Sequence, residues 1–123
     1  MYVELTQDKP IFLQIAETIE DGILTEIFKE EEQIPSITEF STQYKINPAT
    51  ANKGINLLVD DGIIYKKRGV GMFVSKGATD LLRKKRQNDF YHTFIERLIK
   101  EAKKLNLSST DIIAMIERGY DYE

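Results

Sequence analysis

Apolar side chains first recur at helical spacing where Phe12, Ile15, Ile19 and Ile23 fall at three- and four-residue steps. Glu17, Glu20 and Asp21 lie to the other side, so residues 10–24 are expected to form an amphipathic scaffold helix with a wet face. Pro10 suits its first position, where the missing N–H would have had no partner, and Gly22 is expected to be kept small for packing. Glu30-Glu31-Glu32 then interrupts the pattern as a solvated connection. Ser36 followed by Glu39 is a capping-box pattern and predicts a short helix over 37–43. Asn47 and Pro48 fit the N-cap and first position of a second helix reaching about residue 60, with Ile55, Leu58 and Val59 turned inward. Gly62 supplies the left-handed residue that closes it.

Beyond that point the period shortens. Residues 63–67 and 72–75 predict two short strands joined through Arg68-Gly69-Val70-Gly71. After Gly77 helical spacing returns: Tyr91, Phe94, Ile95, Leu98, Ala102 and Leu105 form one stripe on a long helix over 80–105. Ser108 and Asp111 cap a last helix carrying Ile112, Ile113 and Ile116, with Gly119 at its end. The expected fold is mainly α with a small β-hairpin. Residues 1–77 make a winged helix-turn-helix and residues 78–123 a two-helix dimerisation region, because those stripes need a second copy to cover them.

Composition narrows the function. The 123 residues include no cysteine, which excludes disulfides and thiolate metal sites. No secretion signal and no long apolar run is present, so a cytoplasmic, nucleoid-associated protein without membrane insertion is expected. Net charge is −3, yet its distribution is uneven. Residues 1–42 carry two basic side chains against ten acidic ones, whereas residues 43–77 carry six basic against two acidic. A local cationic face of this kind steers a molecule toward phosphates.

The second helix of a helix-turn-helix presents its first turn and outward face to base edges. Here those positions are Asn47, Ala49, Thr50, Asn52 and Lys53. Asparagine pairs bidentately with adenine, alanine and threonine methyls meet thymine, and lysine suits guanine or phosphate. Ser36, Thr38 and the free amides of the preceding helix are candidates to hold a phosphate, although Ser36 is equally explained as a cap. Lys67, Arg68, Gly69 and Gly71 give a charged, closely approaching hairpin tip.

Taken together, residues 10–74 resemble the winged helix-turn-helix of the GntR family of bacterial transcription factors. Pro10-Ile11-Phe12-Leu13-Gln14-Ile15 resembles the family's opening P-[IL]-[YF]-x-Q-I, and Ile34-Pro35-Ser36 its L-P-S. Asp61-Gly62-Ile63-Ile64 resembles the E-G-[LI]-[IL] leading into the wing. The short helical C-terminus and the Asn47-Pro48 pair are similar to the YtrA-like subgroup, in which the C-terminal helices dimerise. That resemblance implies a homodimeric repressor of a transporter operon, bound to a pseudo-palindromic operator with GT and AC near its centre. Thr38, Asn52 and Val70 stand where relatives often carry arginine, and Lys45 where glycine is common. Fewer cations imply weaker phosphate-driven affinity and a shallower salt dependence.

Two other functional classes compete with this reading. Asp89, His92 and Glu96 share one helical face, but a solvated face explains them better than a metal site, and no catalytic or cofactor signature stands out. A winged-helix protein-interaction module that does not read DNA is the alternative, supported by the acidic first third. A small-molecule effector, where one exists, is expected between the dimer helices or the domains.

Overall fold

The capping signals in the sequence set most of the helix boundaries in the computed structural model, which describes residues 5–122. Helix α1 spans Ile11–Leu24. Pro10 stands one position before it, as the N-cap, and its carbonyl accepts from the Leu13 and Gln14 N–H groups at 3.1 and 3.3 Å. The residues Gln14, Ala16, Thr18 and Glu20 are buried beside Ile15, Ile19 and Ile23. The helix is therefore covered over more than one stripe, and Glu20, expected on the wet side, is only 4% exposed.

Helix α2, Ile37–Tyr44, begins with a reciprocal capping box. Ser36 Oγ accepts from the Glu39 N–H at 3.1 Å, and Glu39 Oε1 accepts from the Ser36 N–H at 3.1 Å. It ends at Lys45, held at φ 54° and ψ 49° in the left-handed region. Asn47 then caps helix α3, Pro48–Asp60, through Oδ1 accepting the Ala49 N–H at 2.8 Å. At its far end Gly62, at φ 76°, permits a two-bond finish: Ile63 N–H to Leu58 O at 2.9 Å and Gly62 N–H to Val59 O at 3.0 Å. Both Leu58 and Ile63 are buried, so this turn is fastened by packing as well as by hydrogen bonds.

The sheet has three strands where two were expected. Strand β1, Gln33–Ile34, pairs antiparallel with β3, Gly71–Val74, which also pairs with β2, Ile64–Lys67. Each hairpin strand lies one residue off its expected bounds, with Ile63 belonging to the helix stop and Gly71 to the ladder. The acidic connection is not simply solvated. Glu31 N–H donates to Val74 O at 2.7 Å, and Val74 N–H donates to Glu32 O at 3.1 Å, extending the strand edge.

The described residues form two compact units, the first reaching Lys84 and the second beginning at Lys85. The first has a core of Ile15, Ile19 and Ile23 from α1, Phe40 from α2, Ile55 and Leu58 from α3, with Ile34, Ile64, Met72 and Val74 from the sheet. Ala78 and Leu82 join it from α4, Ala78–Phe90. The winged unit thus extends past the boundary expected at residue 77, because the first turns of α4 supply part of its core.

In the second unit the long helix expected over 80–105 is interrupted. A π-helical turn, Tyr91–Ile95, separates α4 from α5, Glu96–Lys104. Asn106 at φ 56° closes α5, with Leu107 N–H donating to Ala102 O at 2.9 Å. Ser108 and Asp111 form a second capping box at the start of α6, Ser109–Asp121. Gly119 lies inside α6 and does not end it.

Candidate nucleic-acid interface

Helix α3 buries Ala51, Gly54, Ile55 and Leu58 and turns Asn47, Pro48, Ala49, Lys53 and Asn56 to solvent, with Thr50 and Asn52 half-exposed between them. All five residues expected to read bases therefore lie on its accessible side. Two of them have intramolecular duties as well. Asn47 Oδ1 is engaged in capping, so its NH2 group is the part of the side chain not used by that bond. Lys53 Nζ stands 4.1 Å above the centroid of the Phe12 ring, a cation–π contact that steers the lysine along the surface of α1.

The wing is built on a turn at Lys67–Val70. Val70 N–H donates to Lys67 O at 3.0 Å, and Gly69 occupies the third position at φ 77°, as a type II turn requires. Lys66 Nζ bonds Asn56 Oδ1 at 3.1 Å and so ties the first wing strand to the exposed side of α3. The Tyr65 and Phe73 rings stack at 5.6 Å across the hairpin, and Lys67 Nζ lies 4.8 Å from the Phe73 centroid. Arg68 is exposed at the tip. Ser36 and Thr38, at the start of α2, share one open cleft of about 430 Å³ with Lys67, Arg68, Gly69 and Gly71. The residues singled out on α2 and on the wing are thereby brought together.

The family model described as bacterial regulatory proteins, gntR family, matches residues 12–74, just over half of the chain. The chain belongs to the GntR family. Among solved GntR structures, that of a transcriptional regulator from Bacteroides thetaiotaomicron superposes with a TM-score of 0.72 at 31% identity, covering 91% of this chain and 97% of the other. The transcriptional repressor YtrA of Bacillus subtilis is 34% identical over 73 residues, 59% of this chain and 56% of YtrA. The DNA-binding domain of AraR, solved in complex with its operator ORX1, matches with a TM-score of 0.54 at 26% identity, covering 61% of this chain and 93% of that domain. GntR proteins are regulators rather than enzymes, and the resemblance to the YtrA-like subgroup stands with the family.

Three features of this GntR interface escaped the sequence. Asn56 lies four residues after Asn52 on the same helical face, a spacing that could have flagged it. Gln33 reaches the wing at a sequence separation of 37, and no local pattern signals such a bond. The Tyr65–Phe73 pair reads as ordinary strand alternation until the hairpin register is known.

In the second unit Tyr91, Phe94, Leu98, Leu105 and Ile116 are exposed, while Ile95 and Ile112 are half-buried. Ala102 differs, since it is already buried within the protomer. Phe90, Ile99, Ile113 and Met115 add to the exposed apolar surface. His92 Nδ1 lies 2.9 Å from Glu96 Oε1, and among the described residues no group of three or more metal-ligating side chains occurs. No described helix is long and apolar enough to cross a membrane.

Proposed function

We propose that this chain is a homodimeric, sequence-specific repressor that lays α3 in the major groove and its wing against the neighbouring backbone or minor groove. The observation that carries this reading is the shared cleft of Ser36 and Thr38 with Lys67, Arg68, Gly69 and Gly71, joined to the α3 side by the Lys66–Asn56 bond. Thr50, Asn52 and Lys53 read bases from α3, and the lysines and Arg68 neutralise phosphates. The AraR domain in complex with its operator and the repressor YtrA support the reading by similarity.

The exposed aromatic and aliphatic side chains of the second unit support pairing with another copy, since monomers rarely leave so much apolar surface contiguous with helix faces. Two-fold symmetry then sets two half-sites about one helical turn apart on a pseudo-palindrome. By resemblance to the YtrA-like subgroup, the regulated genes encode a membrane transporter, and the protein acts in the cytoplasm.

Fluorescence anisotropy with the chain's own upstream DNA, repeated across a salt series, tests the proposal. Specific binding whose log affinity falls linearly with log salt is the expected result. Absence of binding, or binding with no salt slope, would favour a winged module that docks on protein.

A further inference from the structure

The wing tip is held by a residue that lies outside the wing. In β1, Ile34 points into the core, so its neighbour Gln33 falls on the outer face of the sheet, in register with Phe73. From there Gln33 Nε2 donates to Val70 O at 3.0 Å. The same peptide segment is held from the other side by the Val70 N–H to Lys67 O bond. Gly71, at φ 143°, lies directly beneath the amide: a Cβ there would stand 2.3 Å from Gln33 Nε2 and 3.3 Å from Cδ. The Gln33 side chain thus fills the space that a residue other than glycine would need.

The outcome is an exposed apolar tip with unusual restraint. Val70 is 60% exposed, and glycine at both neighbouring positions would ordinarily leave it free to sample many conformations. Hydrogen bonds at both its N–H and its C=O remove that freedom. We infer that Gln33 is a positioning residue for nucleic-acid contact, fixing the wing tip before the duplex arrives so that its ordering is not charged against binding. This rests on the DNA-binding reading above.

Gln33→Met keeps the length of the side chain and removes the donor. In the free, ¹⁵N-labelled protein, the heteronuclear NOEs of the Gly69, Val70 and Gly71 amides should fall toward loop values, while the thermal midpoint drops by no more than a few degrees and the rest of the fold is kept. Affinity for the upstream DNA should drop by about three- to tenfold, the scale of one lost hydrogen bond. The salt slope should not change, because no cation is lost. Gln33→Lys restores a donor and should recover the NOEs, with a steeper slope from its added charge. Unchanged NOEs in Gln33→Met would overturn the inference, as would loosened NOEs with undiminished affinity. If the wild-type chain bound no DNA, the functional reading and the role of Gln33 in it would both fall, whereas the NOE comparison would still decide whether this side chain holds the tip.

Discussion

A Cβ added to Gly54 would stand 2.5 Å from the Phe12 carbonyl oxygen, so α1 and α3 meet backbone to backbone in the winged unit. Alanine is the better helix former by about 1 kcal/mol, which taken alone would stabilise α3. The atom in the way belongs to a helical backbone and cannot swing aside. Overpacking of this kind costs about 1–3 kcal/mol, enough to exceed the propensity gain. Gly54→Ala should therefore lower the denaturation midpoint of the full chain. A midpoint that rises would mean the two helices separate at little cost.

Lys45 bridges α2 and α3 with positive φ, a conformation that disfavours L-residues by about 1–2 kcal/mol. Its N–H and that of Ile46 both reach Ser41 O, so the backbone path is fixed by the turn and not chosen by the side chain. Lys45→Gly relieves the steric cost but adds freedom to the unfolded chain. The net expectation is a gain of up to about 1 kcal/mol in thermal or urea unfolding. A clear loss would show that the lysine side chain contributes contacts of its own.

These two positions mark where the sequence was legible and where it was not. Caps are local: Ser36 with Glu39, Asn47 with Pro48, and Ser108 with Asp111 each announce a helix start within four residues, and each was found. Strand β1 was not, because two residues with a single buried isoleucine have no period to detect. The π-helical turn escaped for a related reason: an apolar stripe shifted by one residue still looks helical over a long window. Glu20 is buried although its charge predicts exposure, because Ala16, Thr18, Ile19 and Ile23 around it on α1 are covered as well. In the candidate interface, chain positions were readable, but Gln33, the Lys53–Phe12 contact and the Lys66–Asn56 bond depend on elements far apart in sequence.

Leu98 is a partly exposed member of the apolar surface on α5. If a second copy covers it, Leu98→Glu forfeits about 2 kcal/mol of leucine burial and adds the larger cost of desolvating a carboxylate. Light scattering after size exclusion, at about micromolar concentration, should then report monomers where the wild type gives dimers. A variant that remains dimeric would move the interface elsewhere, with Phe90 and Phe94, whose rings lie 5.1 Å apart, next to be tested.

Glu30 gives the winged unit a pH dependence whose sign follows from the hydrogen bonds its carboxylate accepts. Its carboxylate accepts from the Gly77 N–H at 2.7 Å and the Thr79 N–H at 3.2 Å, capping the start of α4. The Gly77 bond, followed by those of Thr79, lowers its pKa below the ordinary glutamate value. A depressed carboxyl pKa stabilises the fold at neutral pH, and that contribution disappears as pH falls through the folded-state value. Wild type should therefore exceed Glu30→Gln in thermal midpoint near pH 7, with the difference closing as the pH falls below the ordinary glutamate range. The effect will be modest because the group is open to solvent. A gap that stays constant with pH would mean that the charge of the carboxylate adds nothing to the cap, and no gap at pH 7 would mean that glutamine caps equally well.

Replacing both Asn52 and Lys53 with alanine probes the base-reading side of α3 directly. Asn52 contributes discrimination, since a bidentate pair with adenine is worth about 1–3 kcal/mol against the wrong base. Lys53 contributes charge, and its loss should reduce the salt slope by about 0.9 if it neutralises one phosphate. It also forfeits the contact over Phe12, worth about 0.5–1 kcal/mol of stability at a surface site, so the unfolding midpoint must be recorded beside the affinity. The double variant should lose specific binding to the upstream DNA, keep weak nonspecific binding and remain a dimer. Specific affinity equal to that of the wild type would exclude this face of α3 from the operator and leave the wing to carry recognition.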